Sequence, residues 1–167
     1  MRKPIIAAAI LALCPLEAGA ADPLNAAVFD LQLVDTSLEG EMSGASEERR
    51  RLGVLSDRLR QALGASDRYE LVDIAPVREA AASQNLQACG GCDVRLAAGL
   101  GADVAVTGFV QKVSNLILSI NIMVRDVETG KMVEGHSADI RSNTDESWRR
   151  GLDWLLEHRL LATEAPK

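Results

Sequence analysis

The chain has 167 residues and a formal net charge of −6 at pH 7; 47% of its residues are hydrophobic and 3% are aromatic. This length and hydrophobic content suit one domain with an ordinary buried core. An acidic chain with so few aromatic residues has neither the positive charge that neutralises phosphates nor the rings on which bases stack. The composition therefore excludes a typical nucleic-acid-binding protein.

The N-terminus has the pattern of a secretory signal peptide. Two basic residues precede an apolar run over residues 4–13, and the small residues Ala-Gly-Ala follow at 18–20. We therefore predict a signal peptide over residues 1–20 and a single mature domain over residues 21–167. The apolar run is shorter than the roughly 20 residues that a membrane-spanning helix needs, and no later segment approaches that length. No membrane span is predicted.

The first half of the mature chain predicts a βαβ unit. Residues 25–35 alternate as one strand, and residues 69–73 form a second, short strand. Between them a helix begins near Ser46, its expected N-cap, and ends at Gly64. Its buried stripe recurs at helical spacing at Leu52, Leu55, Leu59 and Leu63. A strand, a helix and a strand in this order predict that the two strands are parallel.

The second half predicts an antiparallel three-strand meander over residues 103–114, 116–125 and 132–141. In its middle strand one face carries Leu118, Ile120, Ile122 and Val124, and the other carries Ser119, Asn121, Met123 and Arg125. A terminal helix capped by Asn143 has an apolar face formed by Trp148, Leu152, Leu155, Leu156 and Leu160. Trp154 is also expected to be a packing residue. The fold class is thus mixed α/β (α+β), a sheet of about five strands with helices packed on it.

Two segments carry a family resemblance, Leu-Gly-Ala-Asp-Val-Ala-Val-Thr-Gly at 100–108 and Val-Arg-Asp-Val-Glu-Thr-Gly-Lys at 124–131. They resemble the TolB N-terminal domain and its curli-secretion (CsgG-like) relatives. Segments 112–118 and 141–151 resemble, more narrowly, an uncharacterised family of small secreted bacterial proteins with no assigned activity. The resemblance implies a TolB N-terminal-like sheet with helices on one side, used in those relatives for protein contact in the periplasm and not for catalysis.

The resemblance leads to a functional prediction. We expect a non-enzymatic periplasmic binding or accessory protein that contacts a periplasmic protein partner, with a finer link to a periplasmic quinoprotein oxidation system. The sequence contains no nucleophile elbow, phosphate loop or zincin motif. We therefore predict no catalytic residue and no cofactor.

Cys89 and Cys92 are the only cysteines outside the predicted signal peptide. An oxidising compartment makes a disulfide the default, and residues three apart on a helical turn lie about 5–6 Å apart, which suits one. The pair can also act in disulfide exchange, or bind a metal with His136 as a further weak candidate, which gives the alternative of a thiol-disulfide or metal-handling protein. Asp93 places an anion beside the pair. We predict a local structural disulfide and keep the other two roles open.

Overall fold

The computed structural model describes residues 22–37 and 45–162, and the predicted signal peptide lies outside the described residues. The elements, in chain order, are β1 (Leu24–Val28), β2 (Gln32–Asp35), α1 (Ser46–Gly64), β3 (Tyr69–Leu71), a 3-10 turn (Ala75–Val77), α2 (Arg78–Ala82), α3 (Cys92–Ala98), β4 (Val104–Ser114), β5 (Ile117–Asp126), β6 (Met132–Ile140) and α4 (Asp145–Leu155), which continues as a π-helical turn over Leu156–Leu160. None of the described helices combines the length and the apolar character that a bilayer crossing requires.

The strands form one mixed six-stranded sheet, in which five follow the order β3-β1-β4-β5-β6. The sixth, β2, also pairs with β4, farther along β4 than β1 does. β1 is parallel to both β3 and β4, whereas β4, β5 and β6 form an antiparallel meander. The predicted fold class, the parallel pairing of the βαβ unit and the meander are confirmed. The predicted apolar face of β5 is also confirmed, because Leu118, Ile120, Ile122 and Val124 are all buried.

The first strand differs from its prediction. Residues 25–35 do not form one strand, since both β1 and β2 pair with β4 and a three-residue break separates them. In the break the Leu31 N–H donates to the buried Ser56 hydroxyl of α1 at 2.9 Å, so the helix supplies a hydrogen bond that the ladder lacks. The break also brings Val28 and Leu31 into the same core. Gly108 of β4 leaves room for it, because a Cβ there would lie 2.5 Å from the Leu31 side chain.

Two apolar cores lie on opposite faces of the sheet. The larger core contains the predicted leucine stripe of α1 and the predicted apolar face of α4, and the smaller one lies beneath α2 and α3. Alternate residues of β1 and β4 enter each core: Val28 and Val106 face the larger, Ala27 and Ala105 the smaller. The expectation of helices on one side is therefore wrong. Central strands that bury both faces require cover on both.

The N-caps of the two long helices each lie one residue away from the predicted cap residues. The N-cap of α1 is Ala45 and not Ser46, and Ala45 makes no side-chain capping bond. The N-cap of α4 is Thr144, whose hydroxyl accepts the N–H of Ser147 at 3.3 Å. Asn143, the predicted cap, is not free for that role because its side chain bonds into a buried polar cluster at the start of α1.

Candidate functional site

The predicted disulfide is present, and it joins Cys89 to Cys92 with their Cα atoms 5.6 Å apart. Cys92 is the first residue of α3 and is buried in the smaller core, against which Cys89 packs. Gly90 and Gly91 have φ values of 64° and 85°, which only glycine adopts freely, and they close the short loop between the two sulfurs. The bond therefore fastens the loop before α3 to the first turn of that helix.

Asp93 is a buried carboxylate next to the disulfide. It is 1% exposed, and neither of its oxygens accepts a hydrogen bond from the residues that the structure describes. Its counter-ion is Arg125 of β5, whose Nε lies 3.5 Å from Oδ2. Reactive cysteines occupy electropositive surroundings, because a neighbouring anion raises the free energy of a thiolate. Arg125 balances the Asp93 charge, and Arg95 Nη1 donates to the Gly90 carbonyl at 3.0 Å within the disulfide loop, so charges of both signs surround the pair.

His136 and the two cysteines belong to opposite faces of the sheet. Its ring is 3.3 Å from the Glu134 carboxylate, which also accepts a bond from Arg68 at 2.6 Å. In register His136 faces the larger core, whereas Cys89 and Cys92 lie over the smaller one on the opposite face. The structure does not bring these candidates together, and residues 22–37 and 45–162 contain no cluster of three or more side chains suited to hold a metal.

A buried ion cluster lies where β2, β4 and α1 meet. Lys112, at the end of β4, is 3% exposed, and its Nζ lies 2.7 Å from the Glu48 carboxylate and 3.5 Å from that of Asp35. Glu48 is 6% exposed and belongs to the first turn of α1, where the helix dipole also favours an anion. Two carboxylates and one ammonium thus share a nearly dry site.

Asn143 connects this cluster to the rest of the molecule. Its side-chain amide donates to Glu48 at 2.7 Å and to the Asn115 side chain at 3.0 Å, in the turn between β4 and β5. Its side-chain oxygen accepts from the Trp148 indole at 3.0 Å and from Arg51 at 3.1 Å. The start of α4, the start of α1 and the β4–β5 turn are therefore held by one amide.

The protonation states of the cluster follow from these contacts. Burial raises the pKa of Glu48, but the hydrogen bonds from Lys112 and Asn143 outweigh it and lower the pKa to about 2. Burial likewise raises the pKa of Asp35, and the bonds from Ser37 together with the charge of Lys112 bring it below its usual value. Burial lowers the pKa of Lys112, yet its bonds to the two carboxylates raise it above the usual value. All three groups are charged at neutral pH.

The β6 strand forms a long edge of the described part of the sheet. Among the strands that the structure describes, β6 pairs with β5 alone, and the pairing is regular from Glu134 to Ile140. The opposite edge, β3, has three residues against nine in β6. An uncovered edge strand presents unpaired backbone N–H and C=O groups, to which another extended chain can bond.

A groove runs beside this edge, between β6 and α4. It is lined by Ser137, Ala138, Asp139, Ile140 and Arg141 from the strand side and by Ser147, Arg150, Gly151 and Trp154 from the helix. The helix lies close to the strand because Gly151 has no side chain: a Cβ there would be 2.5 Å from Cγ2 of Ile140. Gly151 and Ile140 thus form the floor of the groove.

Trp154 was expected to pack inside the protein, and that expectation is wrong. Its side chain is 42% exposed, in contrast to the fully buried Trp148. The ring stacks on His158 with centroids 5.4 Å apart, and the Arg159 guanidinium lies 5.5 Å from its centroid. An exposed tryptophan that is fixed by its neighbours on one helix is suited to anchor a binding partner.

Sequence reasoning missed both the ion cluster and the groove. A signal for the cluster existed, since Lys112 follows Val106, Gly108 and Val110 at every second position of β4, on the face that turns to the larger core. A lysine in that position needs a buried counter-ion. No comparable signal pointed to the groove, because strand order and the approach of α4 depend on tertiary packing.

Comparisons with known proteins agree with this picture at the level of fold and family. The sequence profile of DUF3280, described as "Protein of unknown function (DUF2380)", matches residues 24–160. No curated protein matches the chain. The predicted uncharacterised family is thereby confirmed.

Among the solved structures that are similar to the chain, three are of LpoB. The LpoB C-terminal domain from Salmonella enterica has a TM-score of 0.52 at 13% identity, with 75% of this chain and 87% of that chain covered. The LpoB C-terminal domain from Escherichia coli has a TM-score of 0.50 at 15% identity, with 76% and 90% covered. The NMR structure of E. coli LpoB gives 0.50 at 12%, with 85% and 84% covered. These are LpoB domains and not the TolB or curli-secretion domains that the sequence resemblance named, and at such identity they share the fold alone.

Proposed function

Because the chain belongs to the DUF3280 family, whose description assigns no activity, we propose a function from its surface: a periplasmic accessory protein that acts by binding a partner protein. The observation that carries the proposal is the β6 edge, which pairs with β5 alone among the described strands, together with the groove beside it. Adding a strand to such an edge is a recurrent way for one protein to bind an extended segment of another.

Exposed apolar side chains support the same surface. Met132 and Val133, at the start of β6, are 59% and 57% exposed. At the other end of β6, Ile140 pairs with Leu118 of β5. The residue before Leu118, Ile117, is 61% exposed. These apolar side chains lie at the two ends of the β5–β6 pair and give each end an apolar surface that a partner could contact.

Two further considerations bear on the location and on the alternative function. A disulfide is typical of proteins outside the cytoplasm, which supports the proposed periplasmic location. Cys92 is buried in the smaller core, and a buried cysteine is poorly accessible to thiol exchange, which weighs against the thiol-disulfide alternative. The link to quinoprotein oxidation rests on the sequence resemblance alone and stays a prediction.

Photo-crosslinking in the native host tests the proposal. A photoreactive residue at Ser137, on the edge strand, is expected to capture a specific periplasmic protein. The same residue at Glu79, on the exposed side of α2, is the control and is expected to capture none. Changing Cys89 and Cys92 to Ser should leave the Ser137 crosslink intact. Equal capture from both positions, or no capture from Ser137, would contradict the proposed function.

A further inference from the structure

We infer that the segment bound along β6 carries an apolar side chain and a carboxylate two positions apart, both directed toward α4. The inference rests on the proposed function and adds the chemistry of the partner. Side chains alternate along a strand, so residues i and i+2 of an added strand lie on the same side of the sheet. The groove residues on the α4 side therefore contact every second residue of the bound segment and select its chemistry.

The apolar position follows from the floor of the groove. Ala138 and Ile140 turn toward α4, because their partners on β5 are Ile120 and Leu118 of the larger core. Trp154 lines the groove with them, and its ring stacks on His158. A side chain placed over the small Ala138 would contact the exposed indole, and an apolar one would gain most from leaving water there.

The acidic position follows from the cations of the groove. Arg150 is 75% exposed and pairs with Glu146, one turn earlier on the same exposed helix face. Arg141 lies in the bend after Ile140, where the strand alternation no longer applies, and lines the same groove; it has no carboxylate partner among residues 22–37 and 45–162. The carboxylate that lines the groove, Asp139, pairs in register with Ser119 and belongs to the face away from α4. On the α4 side a carboxylate on the partner would thus meet positive charge.

A strand-forming peptide tests this pattern directly. The probe is a capped nine-residue peptide, Thr-Val-Thr-Glu-Thr-Val-Thr-Glu-Thr, in which Val and Glu fall on one face. Two matched peptides serve as controls: one has Lys in place of Glu, and one has Pro at the central Thr, which removes a ladder donor. Titrations into the isotopically labelled protein are followed by NMR, and the Glu peptide should shift the amides of Glu134–Ile140 and the Trp154 indole.

The expected affinities separate the charge effect from strand addition. The Glu peptide should bind at least tenfold more tightly than the Lys peptide, and the Pro peptide should lose most of the affinity. Arg150→Glu should reverse the preference for Glu over Lys. Arg49→Glu makes the same charge change on an exposed arginine of α1 that does not line the groove, and it should leave the preference unchanged.

The outcomes distinguish the inference from the function on which it rests. Equal affinity for the Glu and Lys peptides, or no shift along β6 with the Glu peptide, would overturn the inference. If Ser137 still captures a protein in the periplasm, the partner docks by another chemistry and the proposed function stands. If that crosslink also fails, the proposed function is wrong as well.

Discussion

Replacing Lys112 by Met removes the cation from the buried cluster and leaves its carboxylates without a counter-ion. In the intact protein the pKa of Glu48 is about 2 against an ordinary value of 4.5. At about 1.4 kcal/mol per pKa unit, this difference corresponds to about 3 kcal/mol of stability. Because the folded-state pKa is the lower one, the contribution is complete above pH 4.5 and is lost as the pH falls toward 2.

At pH 7 the Lys112→Met protein should be less stable by about 3–5 kcal/mol, the range for removing one partner of a buried ion pair. Urea unfolding followed by circular dichroism between pH 3 and pH 8 measures the difference. The gap from the unsubstituted protein should narrow as the pH falls below 4.5, because protonated Glu48 no longer requires a cation. Substituting Glu48 by Leu as well should recover part of the loss, since an apolar pair replaces the ionic one.

Lys131→Met is the matched control, because Lys131 is exposed in the turn between β5 and β6. Its effect should stay within about 0.5 kcal/mol, as for most surface substitutions. A loss below about 1 kcal/mol in Lys112→Met, or a loss that does not change with pH, would refute the assignment of the cluster as a charged, stabilising site.

Three further predictions concern packing and the disulfide. Ile120→Asp should be severely destabilising and Asn121→Asp mild, because the two side chains lie on opposite faces of β5; equal shifts in melting temperature would contradict the face assignment. Gly151→Ala should cost about 1–3 kcal/mol despite the better helix propensity of alanine, since its Cβ would lie 2.5 Å from Ile140, whereas Gly53→Ala, with open space around it, should stabilise α1; thermal melts that show the reverse order would disprove the close packing of α4. Reduction of the disulfide should lower the free energy of unfolding by no more than about 2 kcal/mol, with a midpoint below about −300 mV in glutathione buffers, and a midpoint near −200 mV would indicate a redox pair instead.

The features that the sequence predicted well are those set by local periodicity. The alternation of β5 and the leucine spacing of α1 depend on neighbours within one element, so Ile120 and Leu59 could be placed in the core in advance. The break between β1 and β2 could not be predicted, because it depends on Ser56, a residue 25 positions away that bonds the Leu31 N–H. Asn143 was misassigned as a cap for a similar reason, since three of its four side-chain partners, Glu48, Arg51 and Asn115, lie outside α4.

The candidate site was less accessible to sequence reasoning than the fold. The cysteine pair was correctly expected to form a disulfide, because spacing and compartment decide that question locally. The groove depends on which strand lies at the edge and on how closely Gly151 lets α4 approach Ile140. Neither feature can be inferred from the residue pattern of a single segment. The charged and aromatic side chains that line the groove could be identified only from the structure, which places Arg150 and Trp154 beside β6.

The parallel pairing of β1 with β4 has a consequence for how the chain folds. The backbone N–H of Asn25 bonds to the Asp103 side chain across 78 residues, whereas the strands of the meander are close neighbours in sequence. Loop closure over such a separation is slow, so the meander should form early and the N-terminal strand should join it late. During synthesis β1 leaves the ribosome long before β4, although it is expected to join the sheet only after the meander has formed. Until β4 is available, Val28 and Phe29 lack their native neighbours, and we expect this interval to be when the chain is most prone to aggregate.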